Sequence, residues 1–160
     1  MYISFEQYSA LYDQLDQKTF NRLAYDAGKH IDRLTTGADG VKKLKVYFPE
    51  DEDSVESVKR CAAEIINFLF AIQEAESSAY SVQGYEETEN GKHGKVISAI
   101  TSGSESITFA TGEQKTIIDQ AVADPVARDR FVSGIIRKYL SGVQDANGVN
   151  LLYMGVYPRV

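Results

Sequence analysis

One stretch, residues 54–75, constrains the fold of this chain more than any other. Its apolar residues recur at steps of three and four, the spacing that places side chains on one face of an α-helix. The face consists of Val55, Val58, Ala62, Ile65, Leu69 and Ile72, and it is widened by Cys61, Ile66 and Phe68. Because so apolar a helix must be covered by other helices, the stretch predicts the central helix of a bundle.

Four more helices are predicted around it, at residues 5–14, 17–36, 113–123 and 126–140. Residues typical of helix starts precede the helices: Ser4 with Gln7, Asp16, Asp53 with Glu56, Thr111 with Gln114, and Asp124 with Pro125. The side chains expected in the shared core include Leu23, Ile31, Ile65, Leu69 and Ile135.

Residues 77–112 interrupt the helical pattern, since they hold many Ser, Gly and Thr residues and few long aliphatic ones. Two runs rich in β-branched residues, 96–101 and 106–111, predict a β-hairpin, and residues 84–94 predict a loop. Residues 151–157 could form a terminal strand. The predicted fold class is therefore mainly α, a small helical bundle with a β-hairpin insertion and a short C-terminal extended segment.

A second short extended piece is expected at residues 44–48.

At 160 residues, with 43% hydrophobic residues, the chain is expected to form a single domain over residues 1–160. The loop and hairpin at about 77–112 would be an insertion in that domain.

The formal net charge of -6 is unfavourable for a protein that grips nucleic acid, because phosphate binding is due mainly to Lys and Arg. A local basic patch remains compatible with that average. No secretory signal is visible at the amino terminus, and no apolar run is long enough to span a bilayer. Synthesis in the cytoplasm is the expectation.

Few residues suggest catalysis. His30 could act as a base oriented by Asp26 or Asp32, or it could simply make a surface pair on its helix. His93 is predicted on a different element. The single cysteine, Cys61, lies within an apolar pattern and is expected to be a small buried hydrophobe.

No pattern indicates a metal ion or a cofactor. Zinc-binding spacings such as Cys-x-x-Cys are absent from the sequence. The acidic residues 50–53 could suggest calcium, yet they lack the alternating ligands and central glycine of an EF-hand loop. Capping of the following helix is the better interpretation. The sequence therefore predicts a protein that is not an enzyme.

Ten tyrosines and no tryptophan are present. Tyrosine has an apolar ring and a polar tip, so it suits protein interfaces as well as ordinary packing. The sequence leaves these two roles open.

Three stretches of the sequence share a pattern with a known family. The first comprises Phe20, Arg22, Leu23, Ala27, Ile31, Asp32, Leu34 and Thr35. The second is the central helix over residues 58–69. The third, the most specific, comprises Tyr139, Leu140, Asn147, Gly148, Val149, Leu151, Leu152, Tyr153, Gly155 and Val156. Together they resemble the head-completion, or head–tail connector adaptor, family of tailed bacteriophages.

The resemblance implies a virion structural protein without enzymatic activity. Such a protein assembles into a ring of about twelve copies beneath the phage portal protein and extends the DNA channel. DNA would pass through without sequence-specific binding, and the ring would present a surface to the next connector, the stopper protein. The protein would be made in the bacterial host from a phage or prophage gene, and no membrane would be involved.

The resemblance also implies that the carboxyl-terminal segment engages the portal. That role would fall on Leu151, Leu152, Tyr153, Gly155 and Val156. The alternative is that these residues cover their own bundle.

Two other classes of function stay open. One is a small helical regulatory or protein-binding module of a prophage or host. The other is an enzyme that uses His30. The 127–140 region contains Arg128, Arg130, Arg137 and Lys138, yet its apolar face is too wide for an exposed DNA-reading helix.

Overall fold

The fold is mainly helical. The computed structural model describes the backbone of residues 1–12, 14–82, 85–88, 91–94, 99–102, 105–108 and 116–158, and the side chains of residues 1–12, 14–77 and 116–158. Its helices are α1 (Phe5–Ser9), α2 (Gln17–Thr35), α3 (Lys43–Val46), α4 (Glu52–Val82), α5 (Ile117–Ala123) and α6 (Pro125–Leu140). None of the helices in the described part of the chain is long and apolar enough to cross a membrane.

Helix α4 is the centre of the bundle, as its apolar pattern predicts. It packs against α2, α5 and α6. The core includes fully or almost fully buried side chains from these helices, with Leu151 beyond them: Phe20, Leu23, Ala27, Ile31, Val58, Cys61, Ala62, Ile65, Ile66, Val132, Ile136, Leu140 and Leu151. Leu69 and Ile135 pack against this core at its edge and are only half-buried, so they are less buried than predicted.

Short polar side chains set the helix starts. The backbone N–H of Gln7 donates to Ser4 Oγ at 3.2 Å in the predicted capping box, and that of Thr19 donates to Asp16 Oδ1 at 2.8 Å. Asp124 caps α6 by accepting from the N–H of Val126 at 2.8 Å. Each bond satisfies an N–H that the helix itself cannot pair.

Two predicted starts are wrong in position. Helix α4 begins at Glu52, and its first turn is capped by Asp51, whose Oδ1 accepts from the N–H of Ser54 at 2.8 Å. Helix α5 begins at Ile117 after a capping box of Thr116 with Asp119. Several Asp, Glu, Ser and Thr residues stand close together before each helix, so spacing alone did not identify the capping residue.

Helix α1 ends at Ser9, so it is shorter than the predicted helix at 5–14. After it the chain makes a turn that is closed by backbone hydrogen bonds to the carbonyl of Tyr8. The extended piece expected at 44–48 is also wrong. The N–H of Val46 donates to the carbonyl of Lys42 at 3.2 Å, which closes the single turn of α3. This turn directs Leu44 into the core and leaves Val46 exposed.

Two antiparallel strand pairs lie between α4 and α5. They are β1 (Tyr85–Thr88) with β2 (Gly91–Gly94), and β3 (Ala99–Ser102) with β4 (Glu105–Thr108). The predicted loop at 84–94 contains β1 and β2, and β3 and β4 cover only part of the hairpin predicted at 96–101 and 106–111. The residues between these strands, and all side chains of this segment including that of His93, lie outside the described residues. The β-hairpin insertion therefore stays a prediction.

Candidate functional site: the C-terminal segment

The C-terminal segment, defined here as residues 143–158, folds back onto the connection between α2 and α3. Gly142 and Gly148 have φ angles of +85° and +76°, so they allow the left-handed turns that reverse the chain after α6. The N–H of Ala38 donates to the carbonyl of Gly155 at 3.1 Å. The N–H of Ala146 donates to the carbonyl of Tyr47 at 3.2 Å. The segment is thus hydrogen-bonded to residues about a hundred positions earlier.

Asp145 organises the turn of this segment. It is buried, and its Oδ1 accepts from the N–H groups of Asn147 at 3.0 Å and Val149 at 2.9 Å. Its Oδ2 accepts from the Tyr157 hydroxyl at 2.8 Å. Burial, helped by this bond to a carboxylate, raises the pKa of Tyr157. The Tyr157 ring also stacks on Tyr47, with 4.8 Å between ring centroids.

Lys43, on α3, is fully buried beneath the segment. Its Nζ donates to the carbonyl of Asn150 at 3.2 Å and also to that of Tyr153. Burial lowers the pKa of Lys43, and the nearby carboxylates of Asp145 and Asp39 partly offset that effect. A buried ammonium group therefore replaces water as the partner of two backbone carbonyls.

Two glycines allow the segment to approach so closely. A Cβ at Gly37 would lie 3.0 Å from the carbonyl oxygen of Gly155, closer than side-chain carbons normally come. A Cβ at Gly155 would overlap the ring of Tyr153. Because Gly37 has no side chain, the backbone of Gly155 can lie against it. Because Gly155 has no side chain, the Tyr153 ring can lie against it.

The terminal strand expected at 151–157 is wrong. The described part of this segment forms turns and one isolated bridge between Gln144 and Asn150. Several of its backbone groups are paired with side chains instead: Lys43 Nζ donates to two carbonyls, and Asp39 Oδ2 accepts from the N–H of Tyr157 at 3.0 Å. These groups are satisfied without a neighbouring strand.

The five residues that the resemblance assigns to portal contact lie in different environments. Leu151 is buried in the core, and Leu152 is half-buried against it. Gly155 shapes the backbone, whereas Tyr153 and Val156 are exposed, Val156 with 67% of its surface. The resemblance did not single out Met154, which is 56% exposed between them. The exposed apolar patch of this segment is therefore Tyr153, Met154 and Val156.

The His30 side chain lies in a different place, in a groove between α2, α4 and α6. Its Nδ1 is 3.8 Å from Asp129 Oδ1, and Arg33 Nη1 is 3.1 Å from Asp129 Oδ2. Burial, with the nearby Arg33 cation, lowers the pKa of His30, and the carboxylates of Asp129 and Asp26 partly offset that effect. Asp32 is directed elsewhere, towards the Tyr2 hydroxyl and Lys45, so it cannot orient His30.

The described lining of that groove combines charged and apolar side chains. Its apolar side is formed by Leu23, Leu69 and Ile72, and no serine, threonine or cysteine lines it in the described part of the chain. Cys61 is fully buried, and burial raises the pKa of its thiol to about 12, so it is the small buried hydrophobe that its sequence context predicts. No group of three His, Cys, Asp or Glu residues suited to a metal ion occurs among the described residues.

No family model, no curated protein and no solved structure matches this chain. The resemblance to connector adaptors therefore depends on the three stretches of the sequence alone.

Proposed function

We propose that this chain is a virion structural protein that forms a ring-shaped adaptor between the portal and the next head–tail connector protein. The observation that supports this proposal is the exposed apolar patch of Tyr153, Met154 and Val156 on a segment fixed to the bundle. In the proposal this patch contacts the portal protein. No catalytic role is assigned to any residue.

The patch is suited to docking because its backbone is already ordered. Lys43 and Asp145 hold the segment in place through buried and partly buried hydrogen bonds. Binding would therefore cost little conformational entropy, which favours affinity. Apolar surface removed from water would stabilise the complex by roughly 25 cal/mol per Å².

The resemblance assigns five contact residues, and their different environments indicate different roles in the proposed portal contact. Tyr153 and Val156 remain as contact residues, and Met154 joins them. Leu151, Leu152 and Gly155 act indirectly in this proposal, since the two leucines hold the segment to the core and Gly155 leaves room for the Tyr153 ring.

The acidic character of the chain is compatible with a DNA channel. A ring requires a head-to-tail interface that closes by rotation, and its inner surface must let DNA move. With a net charge of -6, the chain has a surplus of carboxylates that would repel phosphates rather than hold them.

Attachment to tailless heads tests the proposal directly. The heads are prepared from the phage or prophage that encodes the chain, with this gene deleted, and bound protein is measured by co-sedimentation. Val156→Asp and Met154→Asp should each weaken attachment at least about tenfold, because a charge would be buried against the portal without a partner.

Two matched controls are present in the chain. Val126 is 67% exposed, like Val156, and Ile117 is 56% exposed, like Met154. Val126→Asp and Ile117→Asp should attach like the unaltered chain. Equal attachment by all four variants, together with the absence of rings in electron micrographs, would instead favour the regulatory or protein-binding module.

A further inference from the structure

A second surface, the basic groove, is lined by residues of α2, of the α2–α3 connection and of α3, together with Met1, Tyr2 and Phe48. Four cations line it: Lys29 and Arg33 from α2, Lys42 just before α3, and Lys45 within α3. The whole chain has 17 Lys and Arg residues against 23 Asp and Glu. Four cations along one groove are therefore a local reversal of the chain's overall charge.

Aromatic rings accompany these cations. Tyr2, Tyr25 and Phe48 line the same groove. The Tyr2 and Phe48 rings are stacked with centroids 6.4 Å apart, and Tyr25 and Phe48 are exposed. Gly28 lies between Tyr25 and Lys29 on the same helix and adds no side chain to the groove. The groove thus offers flat apolar surface between positive charges.

The cations are only partly neutralised within the chain. Lys45 pairs with Asp32 at 2.9 Å, and Arg33 pairs with Asp129 at 3.1 Å. Lys29 lies over the Tyr25 ring, with its Nζ 4.5 Å from the centroid, and forms no ion pair with a described carboxylate. Lys42 is exposed and likewise has no ion pair in the described part of the chain. Two positive charges are therefore available to a ligand.

We propose that the basic groove binds an acidic peptide segment of a partner protein, with carboxylates at Lys29 and Lys42 and an aromatic side chain against Tyr25 and Phe48. Charge complementarity and ring stacking both favour such an occupant. The groove shares no residue with the C-terminal patch, so this inference does not depend on the connector role.

A nucleic acid fits the groove less well than a peptide. The Asp32 carboxylate is part of the lining and accepts from the Tyr2 hydroxyl. The acidic residues 50–53 follow Phe48 closely in the chain. A continuous phosphate backbone would meet these negative charges, whereas a short peptide can space its carboxylates around them.

Fluorescence anisotropy with defined probes tests the proposal. The probe is a labelled decapeptide of alternating glutamate and tyrosine, and the matched control peptide has glutamine in place of glutamate. Labelled single-stranded and duplex DNA serve as nucleic-acid probes. We expect the glutamate peptide to bind, the glutamine peptide to bind at least about tenfold more weakly, and added salt to weaken binding.

Two groove variants and one control locate the binding site. Lys42→Glu and Lys29→Glu lie on different elements, and each should weaken binding of the glutamate peptide about tenfold. Lys18→Glu makes the same charge change at an exposed position of α2 outside the groove, and it should change affinity less than about twofold. Circular dichroism establishes that each variant is folded.

Three results would overturn the proposal. The first is equal or absent binding of the two peptides to the unaltered chain. The second is an equal loss in all three charge variants, which would indicate a general charge effect. The third is tighter binding of DNA than of peptide, with that binding lost in Lys42→Glu and kept in Lys18→Glu, which would make the groove a nucleic-acid site.

Discussion

At the scale of single residues, Lys43 connects α3 to the C-terminal segment. It is a charged side chain with no exposed surface, yet both of its partners are backbone carbonyls rather than carboxylates. A buried charge is costly unless it is hydrogen-bonded, so the position of the C-terminal segment and the burial of this ammonium group depend on each other.

Lys43→Met should therefore lower the free energy of unfolding. The methionine fills a similar volume but leaves the Tyr153 carbonyl without its partner, which costs about 1–3 kcal/mol. Urea unfolding measures the change. Lys45→Met is the control: Lys45 is exposed and forms a surface pair with Asp32, which contributes about 0–1 kcal/mol. An equal effect of both substitutions would contradict the structural role of Lys43.

The contact between Asp39 and the C-terminal segment should depend on pH. Hydrogen bonding to the N–H of Tyr157 holds the pKa of this carboxyl below its ordinary value of 3.8. A group whose pKa is lower in the folded state stabilises that state above the unfolded pKa, and the contribution is lost as the pH falls through the folded value. The contact should thus be complete at pH 5 and lost only below pH 3.8.

An NMR titration of the Asp39 carboxyl carbon and the Tyr157 amide measures this dependence. Both signals should change together, below pH 3.8. In Asp39→Asn the Tyr157 amide should no longer follow this titration. A carboxyl that titrates at or above its ordinary value would show that the hydrogen bond is not formed in solution.

At the scale of elements, the long amphipathic helices were predictable because each has a repeated pattern. Helices α2, α4 and α6 follow from the three- and four-residue spacing of their apolar residues, and Asp16 and Asp124 mark two of the starts. The single turn of α3 is too short to show a pattern. Its conformation depends on the burial of Leu44 and Lys43, which the local sequence does not reveal.

Two substitutions on α4 can test where the core ends. Ile65 is fully buried, so Ile65→Ala should cost about 2–5 kcal/mol of unfolding free energy. Leu69, one helical turn further, is half-buried, so Leu69→Ala should cost less, about 1–2 kcal/mol. Urea unfolding of both variants tests this order, and a larger loss for Leu69→Ala would place the core boundary elsewhere.

Helix α2 has room for a stabilising substitution. Gly28 lies in the helix interior, and a Cβ there would be 3.9 Å from the Tyr2 ring, an ordinary contact distance. Gly28→Ala should therefore raise the free energy of unfolding by about 0.5–1 kcal/mol, because alanine loses less backbone entropy in a helix. A destabilised variant in thermal melting would indicate a closer approach of Tyr2 than the structure has.

At the scale of the whole molecule, the C-terminal segment belongs to the same core as the helices. The turn signal at residues 145–148 and the apolar character of 151–157 were visible in the sequence. The residues that this segment packs against were not visible in the sequence, because Lys43 and Asn150 are 107 positions apart and no local pattern relates them. The sequence likewise did not reveal that Leu151 is buried and Val156 exposed, because that difference depends on the fold.

Deleting residues 151–160 should consequently destabilise the entire bundle. Loss of Leu151 leaves a core cavity worth about 2–5 kcal/mol, and Lys43 loses a carbonyl partner. The thermal midpoint by circular dichroism should fall by roughly 5–15 °C in one transition. Val156→Asp, which alters only exposed surface, should melt like the full chain, and an unchanged midpoint after the deletion would contradict this view of the core.

The burial of Cys61 has a practical consequence for studying assembly. The chain has no second cysteine, and the thiolate that reacts with alkylating reagents is scarce at a pKa of about 12. A cysteine introduced at an exposed position such as 153 would therefore be labelled selectively by a maleimide dye, without removal of Cys61. The native thiol would react only when α4 separates from its neighbours, so its labelling rate reports the opening of the bundle.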